Sequence, residues 1–252
     1  MKILGVRVDN IDQKQALEKI KELLEDGKQH YLVTPNPEFV VRARSDQEFK
    51  EILNQADLSV PDGIGLVFAS RFLSSRLKGR VTGVDLMEEI CRLAADENWP
   101  IFLLGAEQGV ADKVADKLKQ RYSNLKIGAG PFGKVVLNKG LISSKDSLLA
   151  DQSFEKIVVS KPAILFVALG AGSQEKWIVQ NLEKMPSVKL AIGVGGAFDF
   201  VSGRIRRAPK AFQRLGLEWF WRFCCQPWRI RRILNSTIKF PYLVIRYGRK
   251  ND

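Results

Sequence analysis

The chain has 252 residues, of which 45% are hydrophobic, and it carries a formal net charge of +12. This length suits one large domain or one domain with an appendage, and the hydrophobic fraction can close a substantial core. Because His30 is the single histidine, Ser-His-Asp triads in their usual form, histidine-rich zinc sites and 2-His-1-carboxylate sites are excluded. Three cysteines, of which Cys224 and Cys225 are adjacent, favour a reducing cytosolic compartment.

Short β-rich runs alternate with segments of helical period, which predicts an α/β fold with a Rossmann-like, mostly parallel sheet and helices on both faces. The first run, at 3–8, is too short for a signal peptide and is predicted as a strand. The other predicted strands lie at 31–33, 58–60, 101–104, 164–169 and 190–194. Helices are predicted at 14–24, at 110–118 and after Ser45, whose spacing to Glu48 fits a capping box. Residues 130–161 are predicted as a surface loop followed by a helix.

Four turns directly follow predicted strands, where ligands of parallel sheets collect. They are TPNPE at 34–38, PDGIG at 61–65, GAGSQEKW at 170–177 and GGAFD at 195–199. For Asn36 and Asp62, a helix N-cap explains the residue equally well. The turn before Gln174 is also compatible with an ordinary αβ connection.

One glycine pattern, GAGPFG at 128–133, satisfies the dinucleotide-binding fingerprint G-x-G-x-x-G. That fingerprint requires a helix directly after it, whereas Pro131 and the residues that follow favour extended or loop structure. We therefore reject dinucleotide binding.

The net positive charge comes from the C-terminal segment. Residues 204–250 contain thirteen Lys or Arg, the single acid Glu218 and nine of the 23 aromatic residues. A disordered basic arm would be poorer in aromatics, so we expect a helical appendage at 204–252 joined to a neutral body at 1–203. Because no uncharged apolar stretch reaches the roughly 18 residues of a spanning helix, any membrane contact would be peripheral.

Within this tail, we expect the apolar stripe of residues 212–223 to pack on the body, because its spacing is helical. Arg229 and Arg232 stand three apart and could hold one pyrophosphate between them. The apolar residues 240–245, flanked by Lys239 and Arg246, are typical of an interfacial membrane contact. Nucleic-acid binding is the alternative for a basic, aromatic segment, although no RNP, KH or helix-turn-helix pattern is visible.

Taken in order, the motifs resemble those of the WecG/TagA/CpsF family of bacterial glycosyltransferases over nearly the whole chain. The matching segments are TPNPE at 34–38, VPDG at 60–63, RVTGVDL at 80–86, FLLGA at 102–106, QEKW at 174–177, GGAFD at 195–199, RAP at 207–209, GLEW at 216–219 and PWR at 227–229. Each is weak alone, but the ordered set is specific.

The resemblance implies transfer of a sugar from a UDP-sugar to a polyprenyl-diphosphate-linked sugar, with inversion and without a metal or other cofactor. Members act at the inner face of the bacterial plasma membrane in teichoic acid or other surface polysaccharide synthesis. The expected partners are the donor, the lipid-linked acceptor and an anionic membrane surface, with no nucleic acid, and a homo-oligomer is compatible with the sequence. A nucleic-acid-binding protein and a non-catalytic membrane adaptor remain the alternative classes.

The resemblance also implies roles for individual residues. Asp62 corresponds to the family's proposed general base and Thr34 to a hydroxyl in the catalytic pocket. The expected substrate-binding residues are Asn36, Arg80, Gln174, Asp199, Gly195 and Gly196, and the expected phosphate-binding residues are Arg222, Arg229 and Arg232. One departure lies at Gly172-Ser173, where the family commonly has a Pro-Lys pair.

Overall fold

The computed structural model of the chain describes residues 1–73, 76–138 and 140–248. Its strands are β1 (Lys2–Ile3), β2 (Val6–Arg7), β3 (His30–Val33), β4 (Leu58–Ser59), β5 (Ile101–Gly105), β6 (Ile127–Gly130), β7 (Val135–Asn138), β8 (Leu141–Ser144), β9 (Ile164–Ala168) and β10 (Leu190–Gly193).

The α-helices are α1 (Gln13–Glu25), α2 (Pro37–Ala43), α3 (Gln47–Gln55), α4 (Ile64–Phe72), α5 (Gly83–Asp96), α6 (Val110–Arg121), α7 (Ser147–Ser160), α8 (Ser173–Asn181), α9 (Ala197–Val201), α10 (Lys210–Arg214), α11 (Glu218–Cys225), α12 (Ile230–Leu234) and α13 (Phe240–Tyr247). Two short 3-10 turns, Leu182–Lys184 and Pro227–Arg229, and a π-helical turn, Asn235–Lys239, complete the helical structure of the described residues.

The chain divides into two compact units. Unit 1 contains Met1–Gln15, Thr34–Thr82 and Ile205–Asp252, and unit 2 contains Ala16–Val33 and Gly83–Arg204. The C-terminal tail thus belongs to the same unit as the turns at 34–38 and 61–65.

Unit 2 contains a parallel sheet in which the strands follow the order β3-β10-β9-β5-β6. All residues of β5, β9 and β10 are buried, as expected for a sheet covered by helices. The core beside this sheet joins Phe102 and Leu165 to Ile157 of α7 and to Trp177 and Ile178 of α8. The predicted α/β class and its mostly parallel sheet are confirmed.

The region around 130–161 contains more strand than predicted. Residues 127–130 form β6, and the predicted loop is an antiparallel pair, β7 and β8, in which Val135 lies opposite Ser144. Only the helix that follows, α7, was predicted correctly. No helix begins at the GAGPFG pattern, because its first three residues belong to β6 and Gly133 directly precedes the segment that leads to β7.

In unit 1 the predicted first strand at 3–8 is wrong. Leu4 and Gly5 have φ values of 51° and 85°, so the chain turns there and β1 pairs with β2 as an antiparallel hairpin. The predicted cap at Ser45 is also wrong by one residue. Asp46 caps α3, because its side chain accepts a hydrogen bond from the Phe49 N–H at 3.0 Å.

The tail forms helices, as predicted, but its buried and exposed parts differ from the prediction. In α11 no residue is buried, and Leu215, Trp219 and Phe220 are exposed, although this stripe was expected to pack on the body. By contrast, α13 contacts α2 and α4 and buries Phe240, Leu243 and Val244, in the segment expected to meet a membrane. Among the described residues, no helix has the length and apolarity needed to span a membrane.

Candidate active site

The turn after β3 is fixed by its prolines and by a helix cap. Asn36 is the N-cap of α2, because its Oδ1 accepts a hydrogen bond from the Phe39 N–H at 3.1 Å, and Pro37 occupies the first helical turn. Thr34, the other predicted site residue of this turn, is buried. The capping interpretation of Asn36 is therefore confirmed, and the cap sets where its amide lies.

Asp62 does not cap a helix. The N-cap of α4 is Gly63, which has a φ of 95° and no side-chain cap, so the capping interpretation of Asp62 is wrong. The Asp62 N–H donates to the Pro35 carbonyl at 2.9 Å, which holds this half-buried residue beside the turn that contains Thr34 and Asn36.

Close packing keeps these two turns together. A Cβ at Gly65 would lie 2.6 Å from the Pro37 Cγ, which is nearer than real Cβ atoms approach. The Pro61 carbonyl accepts a hydrogen bond from the Val81 N–H at 2.8 Å, which adds the segment 80–82 to the group. We call residues 34–38, 61–65 and 80–82 the Asp62 cluster.

The tail contacts the Asp62 cluster through Gly216 and through groups that pair with Arg80. Gly216, with a φ of 72°, lies so close to Ile64 that a Cβ would approach the Ile64 side chain to 2.8 Å. Arg80 donates from one guanidinium nitrogen to Glu218 Oε2 at 3.1 Å and from the other to the Gln213 carbonyl. Arg80 was expected to bind substrate, yet the structure shows it in contact with the tail.

The tail arginines expected to bind phosphate differ in their surroundings. Arg232 Nε donates to both carboxylate oxygens of Glu38, at 2.7 and 2.9 Å, next to the turn at 34–37. Arg222 is half-buried, and its Nε donates to Gln226 Oε1 at 3.4 Å. The backbone of Arg229 belongs to a 3-10 turn, and its side chain lies outside the part of the chain that the structure describes.

A second group of predicted residues lies in unit 2, at the carboxyl ends of β9 and β10. Gln174 is 2% exposed, its Nε2 donates to Glu175 Oε1 at 2.7 Å, and its Oε1 accepts from the Gly195 N–H at 3.0 Å. Glu175 Oε2 also accepts from the Gly172 N–H at 2.6 Å. We call these four residues, with Gly193, the Gln174 cluster; a Cβ at Gly193 would lie within 2.7 Å of both side chains.

The remaining predicted residues of unit 2 flank this cluster. Gly196 is the N-cap of α9, and Asp199 lies in the first turn of that helix, 4.0 Å from a guanidinium nitrogen of Arg204. Gly172 has a φ of 82°, which proline cannot adopt, so this turn differs from one built on the family's Pro-Lys pair.

Three acids that were not predicted as site residues organise these groups: Glu38, Glu175 and Glu218. Glu218 carried a signal, since it is the single acid among thirteen basic residues. Glu38 and Glu175 lie inside motifs that the sequence had already singled out. Glu38 pairs with Arg232, which is distant in sequence, and the burial of Glu175 could not be read from its motif. Among the described residues, no three His, Cys, Asp or Glu side chains form a group that could hold a metal ion.

Comparison with known proteins decides the family. The profile of the glycosyl transferase WecG/TagA/CpsF family matches residues 1–252. The chain belongs to this family. It is thus a glycosyltransferase, as the motifs predicted.

Curated relatives of this glycosyltransferase include two that are named N-acetylglucosaminyldiphosphoundecaprenol N-acetyl-beta-D-mannosaminyltransferase. The protein from Bacillus subtilis (strain 168) is 36% identical over 202 residues, which cover 80% of this chain and 74% of the relative. The protein from Staphylococcus aureus (strain MRSA252) is 34% identical over 250 residues, or 98% of this chain and 93% of the relative. Both similarities extend beyond single motifs.

Proposed function

We propose that this glycosyltransferase moves N-acetylmannosamine, or a related hexose derivative, from a UDP-sugar to a polyprenyl-diphosphate-linked N-acetylglucosamine. The names of the relatives support the sugar and the acceptor. The reaction would serve bacterial cell-surface polysaccharide or teichoic acid synthesis. The observation that carries this proposal is the placement of Asp62, whose N–H donates to the Pro35 carbonyl and so holds the residue beside the turn that contains Thr34 and Asn36.

In the proposed reaction Asp62 is the general base. It removes the proton from the acceptor hydroxyl as that oxygen attacks the anomeric carbon, and the bond from this carbon to the diphosphate oxygen of UDP breaks. Attack opposite the leaving group inverts the anomeric centre. A positioned base of this kind contributes about 10² to 10⁴ in rate, and a single carboxylate is sufficient for it. Thr34, Asn36, Gln174, Asp199 and the Gly195-Gly196 turn are proposed to hold the substrates.

The negative charge that develops on the departing diphosphate needs fixed cations. We assign Arg222, Arg229 and Arg232 to this task, without a metal, since planar guanidinium groups pair with phosphate oxygens in bidentate fashion. Arg232 lies beside the turn at 34–38 through its contact with Glu38, so a diphosphate bound there would compete with that carboxylate.

The exposed aromatic side chains of the tail support a peripheral membrane location. Trp228 is 73% exposed, and Trp219 and Phe220 are also exposed on a segment with many arginines. Aromatic rings beside cations are typical of surfaces that sit among anionic headgroups. We propose attachment to the inner face of the plasma membrane, where the lipid-linked acceptor would be reached, with the residues 204–252 serving as its membrane-binding part and active-site cover.

The test is the Asp62→Asn variant, with Asp57→Asn as the matched control, because Asp57 is an exposed aspartate of the same unit. UDP release is measured with a panel of UDP-sugars and a lipid-diphosphate acceptor analogue. The Asp62 variant should lose about 10² to 10⁴ in turnover while UDP binding, followed by calorimetry, persists. Undiminished turnover in this variant would remove Asp62 from the role of base.

A further inference from the structure

Glu218 joins two arginines that are distant in sequence. Its Oε2 accepts a hydrogen bond from Arg80 at 3.1 Å, and its Oε1 accepts one from Arg207 Nε at 3.3 Å. The three side chains are between 20% and 26% exposed, so the group is mostly shielded from water. Such charge-assisted hydrogen bonds are about twice as strong as those between neutral groups.

Each arginine makes a second contact that connects the tail with the Asp62 cluster. Arg80 also donates to the Gln213 carbonyl, and a guanidinium nitrogen of Arg207 lies 3.4 Å from Thr82 Oγ1. The carboxylate therefore lies where the segment 80–82 and the tail are linked in both directions. Arg80 bonds to residues 213 and 218 of the tail, and Arg207 of the tail bonds to Thr82.

Glu218 lies in a strongly basic part of the chain. Residues 204–250 hold thirteen basic side chains and no acid besides Glu218. Glu218 supplies a negative charge to the guanidinium groups of both Arg80 and Arg207. The loss of this charge would remove two attractive pairs at a mostly shielded position.

We propose that Glu218 is a positioning residue, which holds the tail on the Asp62 cluster, and that Arg80 acts on the reaction through this contact with the tail. Arg80 is then an anchor for the tail and makes no contact with substrate. The effect on sugar transfer rests on the proposed function, since it requires the tail to take part in catalysis, whereas the docking of the tail does not.

The experiment is a double-mutant cycle of Arg80→Gln, Glu218→Gln and the double variant, with Glu89→Gln as a control that breaks the exposed pair of Glu89 and Arg92 in unit 2. Hydrogen exchange is measured at tail amides such as that of Leu217, which is bonded to the Phe212 carbonyl at 2.8 Å, and sugar transfer is measured in parallel. Both single variants should speed this exchange about tenfold and slow transfer by a similar factor. The effect of the double variant on exchange should be clearly smaller than the product of the two single effects, because both changes break the contact between Arg80 and Glu218.

Two results would overturn the inference. If Arg80→Gln slows transfer much more than Glu218→Gln while the exchange of the tail is unchanged, Arg80 contacts substrate directly. If the effects of the two changes on exchange multiply in the double variant, the residues do not act through one contact. Hydrogen exchange needs no substrate, so it decides the docking question even where the wild-type protein shows no transfer and the proposed function has failed.

Discussion

The buried carboxylate of Glu175 fixes the orientation of the Gln174 amide. Glu175 is 1% exposed and accepts hydrogen bonds from the Gly172 N–H and from Gln174 Nε2. A carboxylate can only accept, so the amide must present its NH₂ group to Glu175 and its oxygen to the Gly195 N–H. One acid thus determines the direction of these three hydrogen bonds.

The Glu175→Gln variant replaces a side chain that only accepts hydrogen bonds with an amide of nearly the same size that also donates them. If the new amide accepts from the Gly172 N–H, its NH₂ group faces the NH₂ group of Gln174. If Gln174 turns to accept, its own NH₂ group then faces the Gly195 N–H. Either arrangement places two buried donors against each other, which costs about 1–3 kcal/mol and lowers the melting temperature by about 2–4 °C for each kcal/mol.

Differential scanning calorimetry of the full chain measures this effect. The control is Glu183→Gln, an exposed glutamate a few residues further along unit 2, which should change the free energy of unfolding by less than about 0.5 kcal/mol. A melting temperature for Glu175→Gln that equals the value for the control would refute the reasoning. It would show that the Gln174 amide does not need the Glu175 carboxylate as its acceptor. Sugar transfer by the same variant then tests the proposal that the Gly195-Gly196 turn holds a substrate.

Two further predictions concern groups away from the site. Asp46→Ala should lower the free energy of unfolding by about 1 kcal/mol through loss of the α3 cap, whereas Ser45→Ala should change it by less than about 0.5 kcal/mol. Urea unfolding measures both variants. A larger loss for Ser45→Ala would contradict the cap at Asp46. Cys224 and Cys225 are exposed, whereas burial raises the pKa of the Cys91 thiol. A thiol reagent should therefore label two cysteines of the native protein quickly and the third only after unfolding, and immediate labelling of all three would contradict the burial of Cys91.

The parallel sheet could be predicted because its strands are short apolar runs that end at glycine or polar turns. The predictions at 101–104, 164–169 and 190–194 correspond to β5, β9 and β10, whose residues are all buried. The hairpin of β1 and β2 could not be predicted in this way. Its turn places the non-glycine Leu4 in the left-handed region, which is a choice that local propensity disfavours.

The exposure of the tail could not be read from its helical period. Periodicity indicates which residues share a face, but not whether that face meets protein, lipid or water. In α13 the shared face that includes Phe240 and Val244 packs in unit 1, and in α11 the comparable face with Trp219 stays exposed. The more aromatic helix is therefore the better candidate for the membrane surface, and the later apolar segment helps to hold the tail to α2 and α4.

The position of Asp62 shows what a structure adds to a motif. The sequence offered two interpretations for both Asn36 and Asp62, since each precedes a helix and each residue type is a good cap. The two residues resolve in opposite ways: Asn36 caps α2, whereas Gly63 begins α4 with a φ of 95° and leaves the Asp62 side chain out of the cap. A residue with a side chain at position 63 would be strained in that conformation. Gly63 thus supports the proposed base, because it takes the N-cap position of α4 and leaves Asp62 one residue before the helix.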